Sequence, residues 1–142
     1  MTRQYATVYV GGLFLGIEVA KVQEVMRHQE MTDVPLAPAA ITGLINLRGQ
    51  IVIAVDTQRS LGLTRDAASR PSCNIIIRSE GGGVSLLVDD IGDVLDVPVE
   101  AFAPVPENMP VERKDLIEGV YNLHDRLLLV LDTKRLLQRA CG

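Results

Sequence analysis

Residues 41–62 read ITGLINLRGQIVIAVDTQRSLG, and residues 117–138 read IEGVYNLHDRLLLVLDTKRLLQ. Laid side by side without gaps, they share Ile41/Ile117, Gly43/Gly119, Asn46/Asn122, Leu47/Leu123, Asp56/Asp132, Thr57/Thr133, Arg59/Arg135 and Leu61/Leu137, eight identities in 22 positions. Most of the remaining pairs are apolar on both sides. Upstream, Ile17-Glu18 resembles Val88-Asp89, and Val22-Gln23-Glu24-Val25 resembles Val94-Leu95-Asp96-Val97. Ordered self-similarity of this kind marks a duplicated unit. Two copies suit a compact pseudo-symmetric pair better than a solenoid.

The unit reads mainly as strand. Residues 5–10 alternate weakly, Gly11-Gly12 offers a turn, and residues 13–19 run apolar, which is a hairpin signal. The five-residue apolar runs 51–55 and 127–131 are too short for buried helices and fit strands covered on both faces. Each follows a polar turn, Asn46-Leu47-Arg48-Gly49 or Asn122-Leu123-His124-Asp125, where Gly or Asp accepts the positive φ of a tight hairpin. Residues 73–78 and 84–89 flank a glycine-rich turn, a further hairpin. Asp56 and Asp132 are expected to cap a short closing helix. In the second copy Thr133, Leu136, Leu137 and Ala140 share one helical face. Pro35, Pro38, Pro98, Pro104, Pro106 and Pro110 argue against long helices in the middle of each half. The polar stretch 64–71 (TRDAASRP) is the expected linker. Many short strands with regular turns favour small β-barrels over a layered α/β sheet.

Composition narrows the function. The 142 residues are 47% hydrophobic and 23% charged, which suits a globular domain rather than a disordered tail. The net charge is −4, aromatics are 4% and Trp is absent, so neither the basic stripe nor the stacking residues of a nucleic-acid binder are visible. No run of about 18 apolar residues occurs to span a bilayer as a helix, and the N-terminus does not read as an export signal. Cys73 and Cys141 are too few for a disulfide framework, so a cytoplasmic location with reduced thiols is the simplest expectation.

Catalytic chemistry is thin. His28 and His124 lack ligand spacing for a metal site, and no nucleophile elbow, phosphate loop or zinc-protease motif is present. Gly81-Gly82-Gly83 precedes a strand rather than a helix and reads as a plain turn, not a phosphate cradle. Asp89, Asp90, Asp93 and Asp96 are interrupted by apolar residues and read as a solvated face rather than a calcium loop. No cofactor and no metal are expected. Three functional classes stand in descending order: a non-enzymatic adaptor, a small-ligand-binding β-barrel, and an enzyme using Asp and His. Packed aliphatic interiors would disfavour the second, and the third needs convergent titratable groups in one cleft.

The run from Gly43 through Leu44-Ile45-Asn46-Leu47-Arg48-Gly49-Gln50-Ile51-Val52 to Asp56, with upstream Val22-Gln23-Glu24-Val25 and Val34-Pro35, resembles the CheW family of chemotaxis coupling proteins over about residues 5–138. The resemblance implies a mainly β fold of two SH3-like five-stranded barrels around a shared core, with short helices. The chain is then one domain over 1–142, with a first barrel near 12–63, a second barrel near 72–132 and a C-terminal helix over 133–140. It further implies no catalysis. The expected partners are the cytoplasmic tip of chemoreceptors and the C-terminal regulatory domain of the histidine kinase CheA, itself CheW-like. The expected location is cytoplasmic, with recruitment to membrane-associated receptor arrays. Ile53 and Thr57 stand where the family often carries Pro and Leu, which leaves open a related pathway controlling pili or gliding.

Residues alike in both halves are fold candidates, and residues that differ are function candidates. Gly43 matches Gly119; a glycine inside a strand marks a bend, a bulge or a close backbone approach, so structure is its default reading, with partner binding as the alternative. Arg48 faces His124 in the comparison, and it matches the arginine that the family associates with receptor and kinase coupling. Glu24 matches an acidic residue associated with partner binding. A Glu24–Arg48 ion pair is expected to fix the first hairpin, with Asp96 and His124 as its weaker echo. Val22, Val25, Ile41, Leu44 and Val94 are candidates for an apolar docking groove at the barrel junction, though simple core is the commoner role for such residues. Asp93 and Asp96 are candidates for its rim.

Overall fold

A computed structural model describes residues 1–27, 31–32, 41–63, 73–79 and 82–141. Its elements in chain order are β1 (Thr2–Val10), β2 (Leu13–Glu18), β3 (Val22–Arg27), β4 (Ile41–Leu47), β5 (Gln50–Asp56), α1 (Thr57–Ser60), β6 (Cys73–Ser79), β7 (Gly82–Val88), β8 (Asp90–Pro98), α2 (Val111–Lys114), β9 (Ile117–Asn122), β10 (Leu127–Leu131) and α3 (Thr133–Cys141). The expected turn at Gly81, the linker 64–71, Pro35, Pro38 and His28 lie outside the described residues.

The strands form two five-stranded sheets, ordered β8-β1-β2-β10-β9 and β3-β6-β7-β5-β4. Replacing β1–β5 by β6–β10, and the reverse, turns one order into the other. The duplication read in the sequence is therefore a symmetry of the fold. The register repeats it: Gly16 pairs with Thr7 and Val130 as Ser85 pairs with Ile76 and Ala54. Even the β-bulges match, at Ile41/Gly43 in one sheet and Val130/Leu131 in the other.

Each sheet takes its first hairpin from one half and its last three strands from the other. The contiguous halves 12–63 and 72–132 thus do not coincide with the sheets. Only the three-residue helical turn Val19–Lys21 separates β2 from β3, and only Asp89 separates β7 from β8. At each of these connections the chain crosses into the opposite sheet instead of folding back on the hairpin it has just made. Sequence likeness identifies equivalent segments and is silent on which of them pair.

The faces that the two sheets turn toward one another bury the shared core. Val8, Val10, Leu15, Ile17 and Leu129 come from the first sheet, and Val55, Ile75, Ile77, Leu86 and Val88 from the second. Leu136 and Ala140 of α3 complete it. Fully burying one such side chain stabilises by about 1.5–3 kcal/mol. The outer concavities are packed too. Tyr5, Phe14, Val97, Tyr121, Leu128 and Val130 fill the first. Ile45, Ala54 and Leu87, with Leu47, Val52 and Ile76, fill the second. These packed interiors are what the ligand-barrel reading needed to be absent.

Hydrogen bonding leaves β8 and β9, and β3 and β4, as the sheet edges. One bridge per sheet draws the edges together. Thr32 exchanges two 2.8 Å backbone bonds with Leu44 on β4, and Ala103 exchanges two of 2.9 Å with Val120 on β9. Leu44 and Val120 are repeat equivalents. The preceding glycines explain themselves here: a Cβ on Gly43 would lie 2.7 Å from the Thr32 carbonyl oxygen, and one on Gly119 2.7 Å from that of Ala103. Asp56 accepts the Arg59 amide at 3.2 Å and Asp132 the Arg135 amide at 3.0 Å, so both expected helix caps form.

Candidate functional site

At the β4–β5 tip Leu47 pairs with Gln50, which leaves Arg48 and Gly49 as a two-residue turn. Both have positive φ, 53° and 83°. This pattern follows the right-handed twist of the strands it joins. The Asn46 side-chain oxygen accepts the Gly49 amide at 3.1 Å and braces it. Glycine takes such a conformation freely, and asparagine tolerates it. An arginine there costs about 1–2 kcal/mol.

The Arg48 guanidinium forms an ion pair with the Glu24 carboxylate. Glu24 sits on β3, one alternation from Met26, which packs against Leu47, Val52 and Ile76. β3 and β4 are opposite edges of the sheet. The pair therefore reaches across the open side of the sheet and roofs that small cluster. Arg48 remains 70% exposed and the Glu24 side chain 23%. A pair so placed contributes about 0–1 kcal/mol, and the guanidinium edge stays available to a partner.

The second half does not echo it as expected. Sheet register pairs Ala6 with Val94 and Ile75 with Val25, so Val25 corresponds to Val94 and Glu24 to Asp93. The sequence comparison had set Val22–Val25 against Val94–Val97, three residues too far along. Asp96 and His124 are both exposed, and among the described residues no ion pair joins them. The β9–β10 tip is also a different turn, with the Leu123 amide donating to the Arg126 carbonyl at 2.9 Å.

The corrected register exposes a regularity. Val25 and Val94 are equivalents, and they are 45% and 56% exposed. Ile51 and Leu127, also equivalents, are 60% and 37% exposed. Strand runs expected to be covered on both faces thus each begin with an uncovered residue. Val22, Ile41 and Leu44 are half-buried, and Gly43 is buried. Asp93 and Asp96 are exposed beside Val94, with the Asp93 carbonyl accepting the Thr7 hydroxyl at 2.5 Å. Sequence reasoning missed Ile51 and Leu127. Their signal was present: in both halves an aliphatic residue directly follows the polar tip.

Burial acts on two further titratable groups. The Tyr5 and Tyr121 hydroxyls lie 3.5 Å apart in the first sheet's core. Burial, reinforced by Tyr121, pushes the Tyr5 phenol up to about 12. Burial also pushes the Glu118 carboxyl up, against the pull of Lys21. Asp89 accepts the Gly11 amide at 2.8 Å, which ties the acidic run to the β1–β2 turn. Among the described residues no group of His, Cys, Asp and Glu is arranged to hold a metal ion, and no helix is long and apolar enough to cross a membrane.

These features define a duplicated double-sheet binding module, packed inside and carrying matched apolar positions outside. The chain belongs to the CheW-like family: the family's domain model, described as CheW-like domain, matches residues 4–141. It is 27% identical over 135 residues to the chemotaxis protein CheW of Klebsiella aerogenes, covering 95% of this chain and 81% of the relative. To the chemotaxis protein CheW of Bacillus subtilis it is 28% identical over 130 residues, covering 92% and 83%. The crystal structure of the scaffolding protein TtCheW from Thermoanaerobacter tengcongensis shares its fold, with a TM-score of 0.82 at 24% identity, covering 92% of this chain and 89% of that one. As a member of that family the chain is an adaptor of the chemotaxis type and not an enzyme.

Proposed function

We propose that this adaptor couples the cytoplasmic tip of chemoreceptors to the C-terminal regulatory domain of the kinase CheA, and is recruited by them to membrane-associated arrays. The carrying observation is the matched exposure of Val25 with Val94 and of Ile51 with Leu127. Folding gains nothing from leaving four aliphatic side chains in water, and the duplication keeps both pairs uncovered. Two like faces on one chain suit two contacts with CheW-like neighbours, and the regulatory domain of CheA is expected to be such a neighbour. Apolar centres of this kind, with Asp93 and Asp96 beside Val94, have the anatomy of a protein interface. Ile41 and Leu44 on β4, with Gly43 between them, and Val22 on the opposite edge strand β3 are the half-buried apolar residues offered to the receptor. Glu24 and Arg48 supply the charged, geometrically restrictive contact.

The test is reconstitution of kinase autophosphorylation from receptor tips and CheA, with and without this chain. Stimulation by the wild-type chain, lost with Val25→Asp or Val94→Asp, is the expected result. Stimulation that survives both changes would remove the two-face reading.

A further inference from the structure

The two hairpin tips treat their arginines differently. Arg48 meets its carboxylate at the guanidinium end, whereas Arg126, beside the β9–β10 tip, has only a long contact to the exposed carboxylate next to it in sequence. Its guanidinium lies over the Phe14 ring, 3.8 Å from the centroid, and 5.9 Å from that of Tyr9. Nη1 donates to the Tyr9 hydroxyl at 2.9 Å. The nearest acid, Asp125, reaches only Nε, at 3.9 Å, and is itself 74% exposed. The side chain is thus fixed by two aromatic rings and a hydrogen bond while part of its fork remains undirected. Arginine so held recognises a carboxylate with little further loss of freedom.

The same residues line a groove of about 440 Å³, open along one side, between the β1–β2 turn at Gly12, the start of β10 at Leu127, and Met109. Leu13 and Leu129 form its apolar floor. This groove is separate from the Glu24–Arg48 tip, which belongs to the other sheet. We infer that it receives a segment of a partner protein that presents an aliphatic side chain next to a glutamate or aspartate, the aliphatic group on Met109 and Leu127 and the carboxylate on Arg126. Charge complementarity selects this occupant: apart from the Tyr9 hydroxyl the lining is apolar with one positioned cation, and a purely apolar segment would cover that cation without offering a carboxylate to the part of its fork that Tyr9 and Asp125 leave undirected. The inference does not require the partners assigned above, since it rests on the groove alone.

The test is a ¹H–¹⁵N titration of the full chain with the peptide acetyl-Ala-Leu-Glu-Leu-amide, using acetyl-Ala-Leu-Gln-Leu-amide as its neutral twin. Saturable shifts at Gly12, Phe14 and Leu127 and at the Arg126 side-chain NH are expected with the glutamate peptide, about tenfold weaker with its twin. Arg126→Gln should equalise the two peptides, and Arg126→Lys should restore part of the difference, with the spectra of both variants showing an intact fold. Equal binding of both peptides by the wild-type chain, or no shifts at these residues up to millimolar peptide, overturns the inference. Hexanoate binding as tightly as the peptide would make the site one for a small carboxylate and also overturn it. So would concentration-dependent shifts of the same signals without peptide, which would assign the groove to a second copy.

Discussion

Replacing Arg48 by asparagine separates folding from coupling at the first hairpin tip. In the structure Arg48 holds a φ of 53° beside Gly49. Arginine there costs about 1–2 kcal/mol relative to a residue that tolerates the left-handed region, and Asn-Gly is the favoured pair for this turn. Against that gain stands the Glu24 ion pair, worth about 0–1 kcal/mol at 70% exposure of the arginine. The gain matches or exceeds the loss, leaving a change between about zero and 2 kcal/mol, stabilising in sign. For a chain of 142 residues that is a thermal midpoint unchanged or raised by up to roughly 6 °C. Circular-dichroism melts at fixed pH and salt read this directly. Receptor-dependent kinase activation, measured in parallel, should fall sharply, and Arg48→Glu should impair it equally without a large loss of stability. A midpoint lowered by more than about 5 °C in Arg48→Asn would show that the ion pair carries the hairpin, and the reasoning from exposure and backbone conformation would be wrong.

Gly119→Ala forces a Cβ toward the Ala103 carbonyl and the Phe102 ring, and should lower stability by about 1–3 kcal/mol in denaturant melts, with Gly43→Ala close behind. Asp132→Ala removes the cap of α3 and should cost about 1 kcal/mol by the same measurement. The Tyr5 phenol sits at about 12 in the fold against an ordinary 10 when unfolded. Between those values the unfolded chain has lost a proton that the native one keeps, so stability is full below pH 10 and declines as pH rises toward 12. An ultraviolet titration should show one phenol ionising near 12 that disappears in Tyr5→Phe, and a Tyr5 ionising near 10 would contradict the burial.

Much of the fold was legible because duplication wrote it twice. Asp56 and Asp132 announced their caps, Gly43 and Gly119 their close approaches, and the Asn46–Gly49 turn its hairpin. Glu24 with Arg48 was legible as an acid on a strand and a base in a turn. What escaped was pairing. Two residues brought together by a short switch between sheets leave no periodic trace, so the hairpin exchange between halves was invisible. The three-residue misregister had a related cause: with apolar residues on both sides, valine matches valine at several offsets, and only the ladder from Ala6 to Val94 fixes the right one. The exposure of Ile51 was hidden in the same way, because an apolar run does not say which of its members meets water.

The most direct trial of the adaptor account is co-sedimentation. Receptor tips assembled on vesicles are spun down with the isolated regulatory domain of CheA, in the presence or absence of this chain. The account predicts that the domain pellets only when the chain is present, and that Val25→Asp or Val94→Asp abolishes its recovery while each variant stays folded. Recovery of the domain that is indifferent to the wild-type chain would contradict it.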